Sequence, residues 1–257
     1  MLDQTGEGAP RDVAAANDEQ SLHLRILAEF PFLSPDTMSY RITIEPSRHQ
    51  FEVEPGNTLL RAALASGIHL PYGCRNGACG ACKGRVVSGQ VDRGLHAEGA
   101  LTDDEAARGY ALFCCARPLS DLVIEAREAR AVRDLPVRTL PCRVQKMARL
   151  APDVMLLQLR LPASERLQFL AGQYIDILLK DGRRRSFSIA NAPHDDGFLQ
   201  LHIRLIAGGE FTGHVFGAMK EKDILRFQGP YGSFFLREES VKPAILVAGG
   251  TGFAPIK

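Results

Sequence analysis

At 257 residues the chain has room for about two domains of ~150 residues each, and its 45% apolar and 24% charged residues are those of an ordinary globular protein. Lys plus Arg (31) nearly balance Asp plus Glu (30), leaving a formal charge of +1 that speaks against a nucleic-acid partner. No apolar run approaches the ~18 residues of a membrane span, and no basic patch leads into an apolar core and cleavage site, so the expectation is a cytoplasmic protein without a membrane span.

Residues 1–37 stand apart, with scattered acids, Gly6, Gly8, Pro10 and a short apolar stretch broken by Pro31. Met38 is expected to be the natural start, with 1–37 an upstream, disordered extension; a partner-binding tail is the rival reading. A first domain is expected over 38–130. Its strands are Tyr40–Ile44 and Gln50–Val53 about a turn at Pro46–Arg48, then a helix capped by Asn57 and Thr58 that buries Leu59, Leu60, Ala63 and Leu64 and ends at Gly67. A cysteine loop follows, then a strand over Gly84–Ser88 with a Ser88-Gly89 turn. Thr102 and Glu105 make a capping box before a short helix that Gly109 can end, and Leu122–Ile124 closes the unit. Arg127–Pro141 is charged and proline-marked and reads as a linker, its centre at 131–140. Strands at short spacing then predict an antiparallel barrel over 141–240: Val154–Leu161, Tyr174–Leu179, a Lys180-Asp181-Gly182 turn, Phe187–Ile189 and Leu199–Leu205. One helix, from about Thr212 to Met219, interrupts it. Gly229 to Phe234 reads as a tight turn between strands.

Six cysteines in a chain of this kind point to metal or redox chemistry rather than to disulfides. Cys74, Cys79 and Cys82 have the spacing C-x4-C-x2-C with Cys114 downstream, the plant-type pattern for a [2Fe–2S] cluster. Two irons need four thiolates, three of them from one tightly wrapped loop, and Gly73, Gly77 and Gly80 permit the wrapping and leave backbone N–H groups for the sulfurs. A zinc site would ordinarily show two C-x2-C knuckles, and only one such pair exists here. Cys115 and Cys142 fall outside the pattern.

Residues 40–125 resemble the plant-type ferredoxins, which implies a β-grasp fold. The stretch Leu112-Phe113-Cys114-Cys115-Ala116-Arg117-Pro118 fits that family's fourth-ligand run with Cys114 as the ligand, and Leu119-Ser120-Asp121 also resembles it.

Arg185-Ser186-Phe187-Ser188 is weak alone but is followed by Gly208-Gly209-Glu210-Phe211-Thr212, a glycine turn opening a helix where free N–H groups can hold a pyrophosphate. With the glycine turn at 229–234, residues 140–237 resemble the FAD-binding barrel of the ferredoxin–NADP reductase superfamily. The resemblance implies that Arg185 pairs with the FAD pyrophosphate, where its fixed fork of donors suits phosphate. It further implies that Phe187 stacks on the isoalloxazine, that Ser188 hydrogen-bonds near its reactive nitrogen, and that Gly209 and Thr212 contact the pyrophosphate. Ser186 and His202 complete the expected cofactor-binding set. No catalytic triad is discernible among the seven histidines, and His202 and His214 read as packing or surface residues rather than catalysts.

Ala244–Ala248 reads as a buried parallel strand that enters Gly249-Gly250-Thr251-Gly252-Phe253-Ala254-Pro255. This is neither the Rossmann fingerprint nor a phosphate P-loop. It resembles the opening strand and nicotinamide-side loop of the superfamily's NAD(P) domain, with Gly250, Thr251 and Gly252 at an incomplete NAD(P)H site over 241–257. The expected fold class is therefore α+β: a β-grasp ferredoxin domain, an antiparallel FAD barrel and the first strand of an α/β NAD(P) domain, truncated at its C-terminus. That order resembles bacterial electron-transfer reductases, the glucoseen-reductase-like group and the reductase components of aromatic-ring oxygenases. It implies electron flow from NAD(P)H through FAD and the [2Fe–2S] cluster to an acceptor protein such as a dehydratase or oxygenase. A truncated non-enzymatic electron carrier and an inactive gene fragment are the alternatives.

Overall fold

The computed structural model describes residues 39–129, 135–237 and 240–257; the expectations for 1–37, Met38 and the linker residues 130–134 lie outside the described residues. In the first half, β1 (Tyr40–Glu45) and β2 (Gln50–Val53) form a hairpin, with Ile42, Ile44, Phe51 and Val53 alternating inward. Helix α1 (Leu59–Ala65) follows, with the Thr58 hydroxyl accepting from Arg61 N and Leu59, Leu60, Ala62 and Ala63 buried. Next come β3 (Lys83–Ser88), β4 (Val91–Asp92), α2 (Asp103–Ala107), β5 (Tyr110–Leu112), β6 (Arg117–Pro118) and β7 (Leu122–Glu125). Thr102 and Glu105 make the reciprocal capping box at the start of α2.

The strand order is β2-β1-β7-β3-β5, with β1 and β7 parallel and the other neighbours antiparallel. A helix laid on such a mixed sheet is the β-grasp arrangement that the resemblance implied. The core between them holds Ile42, Leu59, Leu70, Leu112, Phe113 and Ile124.

The second half is an antiparallel barrel of β8 (Arg138–Ala151), β9 (Val154–Arg160), β10 (Tyr174–Leu178), β11 (Arg184–Ser188), β12 (Leu199–Arg204) and β13 (Ile224–Tyr231), with α3 (Glu210–Gly217) inserted before β13. The ladder runs β11-β10-β13-β8-β9-β12, and an Ile189–Leu201 bridge with Ala190 N donating to Gln200 O brings its two edges together. Closure removes the free edges that an open sheet would present. Leu157, Leu159, Ile175, Ile177, Leu201 and Phe227 fill the interior.

Three expectations need correction. The 14-residue strand β8 begins at Arg138, inside the stretch read as linker. Pro141 there removes one ladder donor, yet the inward alternation of Leu140, Cys142 and Val144 keeps the strand in the sheet. Gly229 and Pro230 belong to β13, and the turn is confined to Gly232, at φ +97°, and Ser233. Finally, Ala244–Ala248 forms no strand, and Ile245 and Val247 are 89% and 86% exposed. A strand needs a hydrogen-bonding neighbour, and no described segment pairs with this one. The glycine run after it enters a short 3-10 helix, Gly250–Ile256.

Candidate functional site

The cysteine loop links α1 to β3. A Cβ at Gly77, which sits at φ +78°, would lie 2.8 Å from Cys115 Sγ and 3.0 Å from His96 Cα, so only glycine fits there. This tight path sets the four expected ligands in two pairs. Cys74 and Cys79 are in side-chain contact, with Cys74 N also donating to Cys79 Sγ at 3.3 Å. Cys82 and Cys114 are neighbours that perturb one another's thiols, and Phe113 N donating to Cys82 O ties the two segments together.

Among the described residues no three His, Cys, Asp or Glu side chains converge as ligands of one metal ion. Two dithiol pairs, three of the four cysteines from one loop and Cys114 from after β5, suit a binuclear cluster, with one pair to each metal atom, better than a mononuclear zinc site. The donors around them favour thiolates. Burial opposes ionisation of Cys74, but N–H groups of Asn76, Ala78 and Cys79 and the neighbouring Cys79 thiol hold its pKa below the usual value. The hydrogen bond from Cys82 brings Cys114 down to about 6, against burial, with help from Cys115 and Gly77 N–H; that same bond and burial push Cys82 up. Cys115 is half-buried, its Sγ 3.6 Å from Cys114 Sγ, and its thiol is pushed up to about 12 by burial and then by Cys114.

Cys142 is a different case. It is buried in the barrel core and burial alone pushes its thiol up to about 12. In the native protein at pH 8 it stays unalkylated by iodoacetamide, whereas unfolding exposes it at once; mass spectrometry of the peptide reads the outcome, and native labelling would overturn the placement. Because the folded value lies above the unfolded one, its neutral-thiol contribution to stability is present below pH ~9 and is lost as pH rises from there to about 12.

The expected flavin residues divide between the faces of β11. Phe187 packs on Phe211 of α3, ring centroids 5.5 Å apart, and Arg185 shares its face by strand alternation. Arg183, in the turn before β11, pairs with Asp181 and with Glu210 at the start of α3, which anchors the helix beside the strand. The one hydrogen bond Arg185 makes among the described residues is to Arg184 O at 2.8 Å, so most of its five donors remain for a ligand. Gly209 closes the turn into α3, where an added Cβ would lie 2.6 Å from Thr212 Oγ1. The Thr212 hydroxyl is buried, accepting from Ile206 N and facing the carbonyls of Ile206 and Gly209. What it can offer a pyrophosphate is its backbone N–H in the first turn, not its side chain.

Ser186 lies on the opposite face, and its Oγ donates to Asp176 Oδ1 at 2.7 Å. Ser188 shares the Ser186 face by alternation and pairs in register with Tyr174. His202 lines a shallow cavity with Gln200, Gly250, Thr251, Phe253 and Lys257, and burial, then Lys257, lowers its pKa. The structure thus groups His202 with the C-terminal glycine turn; Gly252 in that turn is exposed. A second cavity of about 580 Å³, lined among others by Ala190, Asn191, Phe235 and Leu246, was not foreseen.

Sequence reasoning also missed the contact between the halves. From Ser39 on, the described residues belong to one compact unit, and the cysteine loop is docked on the barrel through Tyr72, Gly73 and Arg75. One signal was available: Asp176 is a lone acid in the strand Tyr174-Ile175-Asp176-Ile177-Leu178, and a carboxylate buried there demands a partner.

Residues 42–119 match the family described as 2Fe-2S iron-sulfur cluster binding domain, and 141–236 match the oxidoreductase FAD-binding domain. The chain is 40% identical over 220 residues to a CDP-6-deoxy-L-threo-D-glycero-4-hexulose-3-dehydrase reductase of Yersinia pestis, covering 86% of this chain and 66% of that protein. It is 41% identical over 222 residues to the reductase component of a phenol 2-monooxygenase from Pseudomonas sp. strain CF600, covering 84% and 62%. The crystal structure of the Amycolatopsis reductase GcoB superposes with a TM-score of 0.65 at 36% identity, over 84% of this chain and 66% of that one. The chain therefore spans just under two thirds of the length of these relatives. Among the described residues no helix is long and apolar enough to cross a membrane. By its two domains, their order and their backbone, the chain is a relative of the ferredoxin-type [2Fe–2S]/FAD electron-transfer reductases, which include dehydrase reductases and oxygenase reductase components.

Proposed function

We propose that the chain is the cluster- and FAD-bearing part of a cytoplasmic NAD(P)H-dependent reductase that delivers electrons to an acceptor protein, a dehydratase or an oxygenase component. The observation that carries this reading is the direct docking of a paired-cysteine loop on the strand next to the flavin motif. When bound, FAD takes up two electrons as a hydride from NAD(P)H and the cluster passes electrons on singly.

The residues present fit both groups. Cys74 with Cys79, and Cys82 with Cys114, would hold the cluster, and the N–H groups of Asn76, Gly77 and Ala78 stabilise negative sulfur. Arg185 would grip the FAD pyrophosphate with its free fork, beside the first-turn N–H groups of α3 after Gly209. Phe187 backed by Phe211 presents an aromatic wall that excludes water from the ring system, and Ser188 lies at the end of the same strand. Gly250, Thr251, Gly252 and His202 would lie on the nicotinamide side, since they line or adjoin one cavity.

The test is an anaerobic visible spectrum of protein reconstituted with iron, sulfide and FAD, taken before and after NADH and then dithionite. Flavin and cluster bands that dithionite bleaches are the expected result. The absence of either band overturns the reading. Bleaching by dithionite but not by NADH is the pattern expected where the nicotinamide site over 241–257 is incomplete; bleaching by NADH as well would show that hydride still enters.

A further inference from the structure

We propose that Arg75 is a positioning residue that latches the cluster loop to the flavin strand and so fixes the separation of the two cofactor sites. The proposal rests on the cofactor reading above.

Asp176 on β10 is fully buried, with no exposed side-chain surface. A carboxylate in that position is tolerated only when it is paired and hydrogen-bonded. Its partner comes from the other half of the molecule: Arg75 Nη2 donates to Asp176 Oδ2, while Ser186 Oγ donates to Oδ1 at 2.7 Å. Arg184 stands 4.0 Å away. The Arg75 guanidinium also lies over the Tyr231 ring, 4.0 Å from its centroid, with the Tyr174 ring at 5.7 Å. Ion pairing and aromatic stacking by one planar group are properties of arginine that lysine reproduces only in part.

The rest of the loop is placed to match. Tyr174 Oη donates to Gly73 O at 2.6 Å, and Tyr72 N donates to Ser233 Oγ at 2.8 Å while Ser233 N donates to Tyr72 O. Residues on both sides of Cys74 are therefore held by the barrel. Arg75 itself sits at φ +62°, a left-handed conformation that a non-glycine residue keeps only where its surroundings over-determine it. From Cys74 the connection to the flavin motif is short: the next residue, one buried carboxylate, then Ser186, which lies between Arg185 and Phe187 in sequence. A latch of this kind holds the loop at a single distance, and electron exchange between two centres falls steeply with distance.

The test compares wild type, Arg75→Gln, Arg75→Lys and the double variant Arg75→Gln/Asp176→Asn in the cofactor-loaded protein. Amide hydrogen exchange is read at residues 72–76 and 174–178. The two midpoint potentials are measured, together with the rate at which one electron, placed on the flavin by a photochemical donor, reaches the oxidised cluster. In Arg75→Gln, exchange at both segments rises about a hundredfold, because a buried carboxylate has lost its partner. The electron-exchange rate falls about tenfold or more with both potentials unmoved, and Arg75→Lys recovers part of it. The double variant regains the folding stability but not the rate.

Unchanged exchange and rate in Arg75→Gln overturn the proposal. So does a slower rate that tracks a shifted cluster potential, which would make Arg75 a tuner of the cluster and not a latch. Failure of the wild-type protein to load flavin or cluster overturns the cofactor reading instead, and the exchange comparison, which needs neither group, still decides whether the latch exists.

Discussion

Replacing Cys114 with alanine is expected to abolish the visible absorption of the cluster and the paramagnetic signal of its reduced form, while Cys115→Ala is expected to leave both in place. The two cysteines are adjacent, so the contrast tests the site at single-residue resolution. Cys114 is the buried one, beside Cys82 and the Gly77 N–H, which together lower its pKa. The backbone reinforces that pair, since β3 and β5 are in register from Lys83–Leu112 and Phe113 N bonds to Cys82 O. Cys115 is only half-buried, its Sγ against the Cα side of Gly77 and 3.6 Å from its neighbour's sulfur. A binuclear cluster needs all four thiolates, so losing one leaves a metal atom under-coordinated and the effect is complete. Far-UV circular dichroism of the same samples shows whether the sheet survives. Loss of the cluster in Cys115→Ala, with retention in Cys114→Ala, would reverse the assignment.

Arg185→Ala is expected to weaken FAD binding by about 10- to 100-fold, the effect of removing charge-assisted hydrogen bonds to phosphate. Ser186→Ala, one residue along, leaves FAD affinity nearly unchanged. The two neighbours differ because β11 turns their side chains to opposite faces: Arg185 has an open fork, whereas the Ser186 hydroxyl is held by Asp176. Titration of apoprotein with FAD, followed by flavin fluorescence, reads both constants. Rising salt narrows the gap between wild type and Arg185→Ala, because an exposed cation–phosphate contact is screened. Equal affinities of wild type and Arg185→Ala would remove Arg185 from the site.

The parts of this protein that the sequence alone determined are those whose cause is local. Cysteine spacing, the glycines of the loop, the capping box at Thr102 and Glu105, and the inward alternation of β1, β2, β9 and β12 each depend on residues a few positions apart. Their geometry follows from chain stiffness and hydrophobic period. Tertiary structure decided the rest. Pro141 looks like a strand breaker until β13 lies opposite it, and Ala244–Ala248 looks like a strand until no partner appears. Ser186 and Thr212 look like ligands to a cofactor until Asp176 and the Ile206 backbone engage their hydroxyls. Above all, Arg75 and Asp176 lie 101 positions apart, and no local pattern joins them. The isolated acid in an apolar strand shows that a partner must exist, but only the docking of the cysteine loop on the barrel selects which cation it is. A buried charge must be neutralised by whatever the fold brings within reach, and that reach is a property of three dimensions.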